Sequence, residues 1–258
     1  MPNKKADTKW DDAELLLNKL TPDTKFVFDR MTSATIEAVA AKPGEDIIDL
    51  ACGRAADALS IARSGAMVFG LEPSEVMVTK ALELMGPQAQ AVVLFRGLAE
   101  ALPLADNSFD KLVCKGAIDH FAEVDASLKE AARVLKPGGK LVISVANFSS
   151  LSCQLARAYD FGFEKLKGRK RTAHPSYVPP EDHNFKFDRK FLAQKLKPYF
   201  EVEMLTGLSL LWCFPNWGAA LEKLSPDMQN AALQFLDRLA RILPSWSDVL
   251  LVRARPKK

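Results

Sequence analysis

Short apolar runs alternate with helix-length segments through the first half of the chain. The runs that predict β-strands are residues 46–51, 66–71, 91–95, 109–114 and 140–145. Between them, residues 56–64, 74–85 and 124–135 carry the apolar spacing of helices. Strands that are apolar throughout are typical of a parallel sheet with helices on both faces. The pattern therefore predicts a doubly wound α/β fold around a core at residues 46–147.

Three regions flank this core, and they differ in how far they keep the alternation of strands and helices. Residues 1–45 predict N-terminal helices, the first of them built on Leu15, Leu16, Leu17 and Leu20. Residues 148–187 lose the alternation after a short helical stretch and predict an inserted cap. Residues 188–258 regain it, with helices at 189–196 and within 217–243 and strands at 200–208 and 248–254. We interpret the whole chain, residues 1–258, as one domain.

Composition excludes several other classes of protein. The chain has 35 Lys and Arg against 32 Asp and Glu, a net charge of +3, and it is 48% hydrophobic, as ordinary globular proteins are. So small a net charge predicts no nucleic-acid partner. The four cysteines form no C-x-x-C pair, and no apolar run approaches the roughly 18 residues that span a bilayer. We therefore expect no metal site, no disulfide framework and no membrane span, and we predict a cytoplasmic location.

The ends of the first two predicted strands carry the chemistry of an adenosine-binding site. Residues 51–55 follow the first strand, and their small side chains and helix-start amides let a ligand approach the backbone. Glu72 ends the second strand, where a carboxylate can accept hydrogen bonds from ribose hydroxyls. The alternative is that Glu72 caps the helix beginning near Ser74. A dinucleotide fingerprint needs glycine at positions 51, 53 and 56, and of these the chain keeps Gly53, which disfavours a nicotinamide cofactor.

Five motifs extend this interpretation. They are DLACG at residues 49–53, GLEPS at 70–74 with Met77 beyond it, GLAEALP at 97–103, DNSFD at 106–110 and RVLKPGG at 133–139. In order and spacing they resemble the class I S-adenosylmethionine-dependent methyltransferases of the UbiE and methyltransferase-11 type. The resemblance implies a Rossmann-like, mostly parallel seven-stranded sheet with its last strand antiparallel. It also implies S-adenosyl-L-methionine bound over the carboxyl ends of the first strands.

The resemblance assigns cofactor contacts by position. Asp49, Ala51, Gly53 and Arg54 would hold the methionine end, Glu72 and Pro73 the ribose, Met77, Leu98 and Ala99 the adenine, and Lys115, Gly116 and Ala117 would lie beneath the sulfonium. Three positions depart from the family: Ala51 and Ala55, which replace the outer glycines of its G-x-G-x-G loop, and Leu98. Ala55 replaces a glycine, and its methyl group is expected to narrow the methionine space, while Leu98 offers no side-chain acceptor to the adenine amine. A methyltransferase-like binding or regulatory protein without turnover is therefore the alternative to an enzyme.

Candidate groups for the methyl acceptor follow the fourth strand and the cap. Methyl transfer requires alignment of the acceptor and, where the acceptor is protonated, a base. His120 is the candidate base because imidazole titrates near neutral pH, and Asp119 is the second candidate; a cofactor or helix-start contact is the alternative for His120. The predicted contacts to a small hydrophobic or amphipathic acceptor are Asn147, His183, Trp212 and Phe214.

Two segments keep a second interpretation. Core packing explains most apolar runs such as residues 209–217, which contain Trp212 and Phe214. The basic run at residues 165–171 is interpreted as a solvated surface, with peripheral contact to a membrane or a lipid-like substrate as the alternative.

Overall fold

A seven-stranded sheet forms the centre of the protein in a computed structural model that describes residues 7–13, 20–172 and 175–257. The strands are β1 (Asp46–Leu50), β2 (Met67–Glu72), β3 (Val92–Arg96), β4 (Phe109–Lys115), β5 (Leu135–Ala146), β6 (Phe200–Leu208) and β7 (Val249–Pro256). Their order is β3-β2-β1-β4-β5-β7-β6, with β1 to β5 mutually parallel and β7 antiparallel to β5 and β6. The doubly wound, mostly parallel sheet expected from the sequence is confirmed.

Helices cover both faces of the sheet. They are α1 (Pro22–Val39), α2 (Ala56–Ala62), α3 (Glu75–Met85), α4 (Val124–Val134), α5 (Leu151–Lys167), α6 (Arg189–Leu196), α7 (Trp217–Leu221) and α8 (Pro226–Ile242). The helix predicted on Leu15, Leu16 and Leu17 lies outside the described residues. Among the helices that are described, none combines the length and apolar character needed to cross a bilayer.

Two buried apolar clusters hold the layers together, one on each face. Ile47 belongs to the cluster that includes side chains of α1, α2 and α3, whereas its neighbour Ile48 belongs to the cluster that includes side chains of α4 and α6. Successive side chains of a strand point to opposite faces of the sheet. A strand that is apolar at every position therefore supplies both clusters at once, which explains the continuous apolar runs of the sequence.

Strand β5 and helix α5 are longer than the sequence predicted. Strand β5 begins at Leu135, which pairs with Phe109, and the register shifts before Lys140 pairs with Lys111. The Pro-Gly-Gly turn is thus an irregularity within the strand rather than a loop before it, and Gly138 has a φ of +83° there. Helix α5 runs for 17 residues, because Ser150 caps its first turn and Gly168 ends it in a left-handed conformation.

The end of the cap returns to the sheet beside β4. The backbone N–H of Phe148 donates to the carbonyl of Phe187 at 2.9 Å, which closes the base of the cap. The N–H groups of Asn184 and Phe185 both donate to the carbonyl of Asp119, at 2.8 and 3.0 Å. These bonds fix the last residues of the cap against the segment that follows β4. That segment contains Asp119 and His120, the two candidate bases predicted from the sequence.

Candidate active site

A cavity of about 320 Å³ opens above the carboxyl ends of β1, β2 and β4. Each residue predicted to bind the cofactor lines it: Asp49, Ala51, Gly53, Arg54, Glu72, Pro73, Met77, Leu98, Ala99, Lys115, Gly116 and Ala117. His120 and Phe121 line its other end. Parallel strands present their free carboxyl ends at one edge of a sheet, so motifs that are distant in sequence meet there. We refer to this cavity as the cleft.

The loop after β1 reaches the cleft through alternating left-handed residues. Ala51, Gly53 and Ala55 have φ values of 54°, 54° and 59°. Ala55 is fully buried and packs in the apolar cluster beneath α2, and it is not among the residues lining the cleft. The expectation that its methyl group narrows the methionine space is therefore wrong, because the left-handed turn directs that methyl into the core. An L-residue in this conformation costs roughly 1–2 kcal/mol.

Glu72 joins the two motifs that carry the adenosine prediction. Its Oε2 accepts a hydrogen bond from the N–H of Gly53 at 2.9 Å, and its Oε1 accepts one from the N–H of Ser74, also at 2.9 Å. Ser74 itself caps α3 by accepting from the N–H of Met77. Burial raises the pKa of Glu72, and the two backbone N–H groups oppose that rise. Each carboxylate oxygen keeps a lone pair with which it can accept a hydroxyl.

Acidic side chains dominate the lining of the cleft. Six carboxyl groups and two basic groups, Arg54 and Lys115, line it among the described residues. The Lys115 ammonium lies 2.7 Å from Asp57 and donates to the hydroxyl of Thr32 at 2.8 Å. Burial, together with the charge of Asp57, holds the pKa of Asp49 well above its usual range. A negative cavity of this kind suits a ligand with a cationic centre and disfavours a pyrophosphate.

An N-terminal segment that the sequence did not point to closes one side of the cleft. Asp7, Trp10 and Asp12 contribute to the lining. The Asp12 carboxylate pairs with the guanidinium of Arg54 and lies 2.9 Å from the Lys80 ammonium, and the Arg54 hydrogen bond lowers the pKa of Asp12 to about 2. The Ser74 hydroxyl donates to the carbonyl of Trp10 at 2.7 Å. No spacing pattern in the sequence connects these residues.

Two imidazoles and two carboxylates meet at the His120 end of the cleft. Asp119 and His120 lie in a short 3-10 turn after β4, and Asp182 and His183 come from the end of the cap. His183 Nε2 lies 3.2 Å from Asp119 Oδ2, and His183 Nδ1 lies 3.1 Å from Asp182 Oδ1. The rings of His120 and His183 have centroids 4.1 Å apart. We call these four residues the His–Asp cluster.

Asp119 is the buried member of the cluster. It is 2% exposed, and its Oδ1 has no hydrogen-bond partner within the described part of the chain. Burial raises the pKa of Asp119, while the neighbouring imidazoles act in the opposite direction. The structure thus brings Asp119, His120 and His183 together, as the sequence could not show.

The other predicted acceptor contacts lie away from the cleft. Asn147 is buried, and its amide donates to the carbonyls of Ser245 and Ser247 at 3.2 and 2.7 Å. The Trp212 indole donates to Thr24 of α1 at 3.2 Å, and Phe214 lies in the turn that follows. None of these three lines the cleft. Trp212 thus ties the loop after β6 to α1, in agreement with the packing alternative for the apolar run at residues 209–217.

Comparison with known proteins identifies the part of the chain that builds the cleft. Residues 48–143 match the family described as methyltransferase domain. This part of the chain is similar to a methyltransferase domain. The matched segment starts within β1 and ends within β5, and it includes most of the residues lining the cleft.

Curated relatives match the same region. Demethylmenaquinone methyltransferase from Corynebacterium kroppenstedtii is 36% identical over 110 residues, which are 43% of this chain and 45% of the relative. The corresponding enzyme from Corynebacterium efficiens is 37% identical over 116 residues, 45% of this chain and 47% of the relative. The alignments thus span less than half the length of these relatives.

The structural likeness extends beyond residues 48–143. A SAM-dependent methyltransferase from Aquifex aeolicus superposes with a TM-score of 0.58 at 16% identity, covering 95% of this chain and 98% of that chain. At this identity the likeness establishes the fold. The Rossmann-like methyltransferase fold that the sequence predicted is confirmed over the described residues.

Proposed function

We propose that the protein is an S-adenosylmethionine-dependent methyltransferase that acts on a small, hydrophobic or amphipathic acceptor. The observation that carries the proposal is the position of Glu72, whose carboxylate holds the loop after β1 and the start of α3 together at the edge of an acidic cleft. When bound, S-adenosylmethionine supplies an electrophilic methyl group on a sulfonium cation. The negative lining suits that charge.

The residues of the cleft fit the parts of this cofactor. Glu72 offers free lone pairs to a ribose diol, and the thioether of Met77 and the side chain of Leu98 supply apolar surface for an adenine ring. Gly53 adopts its φ of +54° without the conformational cost that Ala51 and Ala55 carry in the same loop. Ala55, one of the departures that motivated the alternative of a non-catalytic protein, is buried in the core and does not line the cleft.

The acceptor proposal rests on the opposite end of the cleft. Phe121 gives that region an apolar surface, and His120 adds a polar group that can contact an acceptor oxygen, nitrogen or acidic carbon. The curated relatives act, by their names, on demethylmenaquinone. We extend to this chain the class of such a molecule, a hydrophobic ring system with an ionisable group.

Calorimetric titration with S-adenosylmethionine and S-adenosylhomocysteine tests the proposal. We expect one site per chain with micromolar affinity and a matching rise in melting temperature, because a ligand that binds the native state stabilises it. Methyl transfer to hydroquinone or phenolic acceptors is then measured with the same preparation. Absence of binding to both compounds would contradict the proposal, and binding without transfer to any acceptor would favour the regulatory alternative.

We further propose that α5 contacts an anionic membrane surface from which such an acceptor could be taken. Leu155, Tyr159 and Leu166 are exposed and share one face of the helix by their spacing, and Leu166 is 80% exposed. The basic run at residues 165–171 continues from its end. An apolar face bordered by basic residues is typical of interfacial helices.

Sedimentation with lipid vesicles tests this contact. We expect the protein to bind vesicles that contain phosphatidylglycerol and to bind pure phosphatidylcholine much less. Replacing Lys165 and Lys167 with glutamine should weaken the binding, whereas replacing Lys140, which pairs with Glu203 on the sheet, serves as the matched control. Equal binding to both kinds of vesicle would contradict an electrostatic contact.

A further inference from the structure

The His–Asp cluster has the composition and geometry of a metal site. We propose that Asp119, His120 and His183 bind one divalent transition-metal ion at the acceptor end of the cleft. The inference goes beyond methyl transfer, since it concerns ion binding by the protein alone. Two imidazoles and one carboxylate form a donor set typical of Zn²⁺ and Fe²⁺ sites with open positions.

The distances between the ligand atoms are close to those of an occupied site. One ligand atom from each of the three residues lies within 4.8 Å of the other two. Ligands that each bind an ion at about 2.1 Å can be at most about 4.2 Å apart. His183 Nε2 and Asp119 Oδ2, at 3.2 Å, already satisfy this limit. Closure around an ion therefore requires a side-chain adjustment and no backbone rearrangement.

Asp182 orients both imidazoles for this role. Its Oδ1 lies 3.1 Å from Nδ1 of His183, and its carbonyl oxygen and Oδ2 lie 3.1 and 3.5 Å from Nδ1 of His120. Because each ring directs Nδ1 to Asp182, each directs Nε2 away from it. Metal-binding histidines are characteristically held in this way, with the second nitrogen donating to a carboxylate or a carbonyl.

Asp119 supplies a second, independent observation that points to a cation ligand. Its Oδ1 has no partner among the described residues, although the side chain is 2% exposed. Its backbone carbonyl already accepts two N–H groups from the cap, so the residue is fixed in place. A buried carboxylate oxygen without a partner is costly. A bound ion would satisfy the carboxylate and both imidazoles at once.

The proposed ion would lie beside the cleft, which His120 lines and Asp119 and His183 do not. His120 contributes to the lining, and three protein ligands leave at least one coordination position open. A water molecule or an oxygen atom of a ligand in the cleft could occupy that position. In the absence of an ion, the same atoms can share a proton between His183 and the carboxylates of Asp119 and Asp182, which is the competing explanation.

Titration of the chelator-treated, full-length protein with Zn²⁺ tests the proposal. We expect one ion per chain with micromolar affinity or better. Co²⁺ should give visible absorption bands of a site with nitrogen and oxygen ligands. Asp119→Asn, His120→Gln and His183→Gln should each weaken Zn²⁺ binding by about 100-fold, and Asp182→Asn by about 10-fold. The control is Asp125→Asn, an exposed carboxylate that pairs with Lys195 on α6.

Each outcome distinguishes the proposal from its alternatives. Absence of Zn²⁺ and Co²⁺ binding by the unmodified protein would overturn the metal site and leave the proton-sharing network. Equal affinity in the His183→Gln variant and the Asp125→Asn control would overturn it too. Circular dichroism and S-adenosylmethionine titration of each variant show whether the fold and the cofactor end are intact, so failure of the metal site and failure of the proposed function are separable.

Discussion

The loop at residues 51–55 and the His–Asp cluster border the same cleft but depend on different parts of the chain. The loop follows β1 directly, and hydrogen bonds to the carbonyl of Leu71 and the carboxylate of Glu72 attach it to the end of the next strand in the sheet. The cluster joins the turn after β4 to the end of the cap, 62 residues away for the contact between His120 and Asp182. The proposed cofactor end is thus supported by neighbouring strands, whereas the proposed acceptor end requires that the cap pack against the turn after β4.

Replacement of His120 should have the largest effect, and this effect should be on turnover and not on cofactor affinity. His120→Ala is expected to lower the turnover number by about 100-fold or more, the scale of a lost acid–base or electrostatic contact to the acceptor. The dissociation constant for S-adenosylmethionine should stay unchanged. Steady-state methyl transfer and calorimetry measure the two quantities on the same variant. Equal losses in both would assign His120 to the cofactor instead.

The free energy of unfolding should depend on pH through Asp248, which bonds to α5 and to the loop after β6. Asp248 is buried, accepts hydrogen bonds from the N–H of Trp212 and the hydroxyl of Ser152, and burial raises its pKa to about 7. In the unfolded chain an aspartate titrates near about 3.9, so the folded protein holds this proton more tightly. Its contribution to stability is therefore fully present below about pH 4 and is lost as the pH rises through about 7.

Comparison with Asp248→Asn isolates this contribution. The free energy of unfolding of the unmodified protein, relative to that of the variant, should fall between roughly pH 4 and pH 8, by on the order of 3 kcal/mol in total. Urea unfolding at several pH values measures the difference. A difference that does not vary with pH would show that Asp248 titrates normally.

Replacement of Glu72 tests the proposed contact to the cofactor ribose. Glu72→Ala removes the acceptor for the N–H groups of Gly53 and Ser74, and with it the proposed ribose contact. Cofactor affinity should fall by about 30-fold, or about 2 kcal/mol. Glu72→Gln keeps one oxygen acceptor and should lose less. Calorimetric titration of both variants decides the matter, and an unaltered dissociation constant in Glu72→Ala would remove Glu72 from the cofactor site.

The smallest expected effect concerns the loop itself. Ala55→Gly relieves a left-handed conformation but gives up a buried methyl group and adds freedom to the unfolded chain. These contributions oppose one another, so the free energy of unfolding should change by less than about 1 kcal/mol. Cofactor affinity should be unaltered. A marked gain in affinity would mean that the methyl group does restrict the cleft.

The sequence predicted correctly that residues of separate contiguous motifs line one cavity. Asp49, Glu72 and Leu98 each lie in a short segment at a strand end, and a parallel sheet must bring such ends together. The alternating apolar runs likewise predicted the strands. The extension of β5 was missed, because a Pro-Gly-Gly turn has the same sequence signature in a loop and in a bulge.

Residues whose role depends on distant partners were not predictable in this way. Asp12 meets Arg54 and Lys80 across 42 and 68 residues of chain, and no local pattern encodes such pairing. Asparagine commonly contacts ligands, but the Asn147 amide donates to the backbone carbonyls of Ser245 and Ser247 instead. The direction of the Ala55 side chain depends on the sign of φ, which the core around the loop determines.

The N-terminal segment across the cleft has a kinetic consequence. Its attachment depends on Asp12 between Arg54 and Lys80, a group of partly exposed charges whose attraction mobile ions weaken over about 10 Å at moderate salt. A ligand that enters or leaves the cleft passes beside this segment. Added salt should therefore raise the association and dissociation rates of such a ligand. The rates at which ligands enter and leave the cleft would then depend on ionic strength, whereas the rate of the proposed methyl transfer would not.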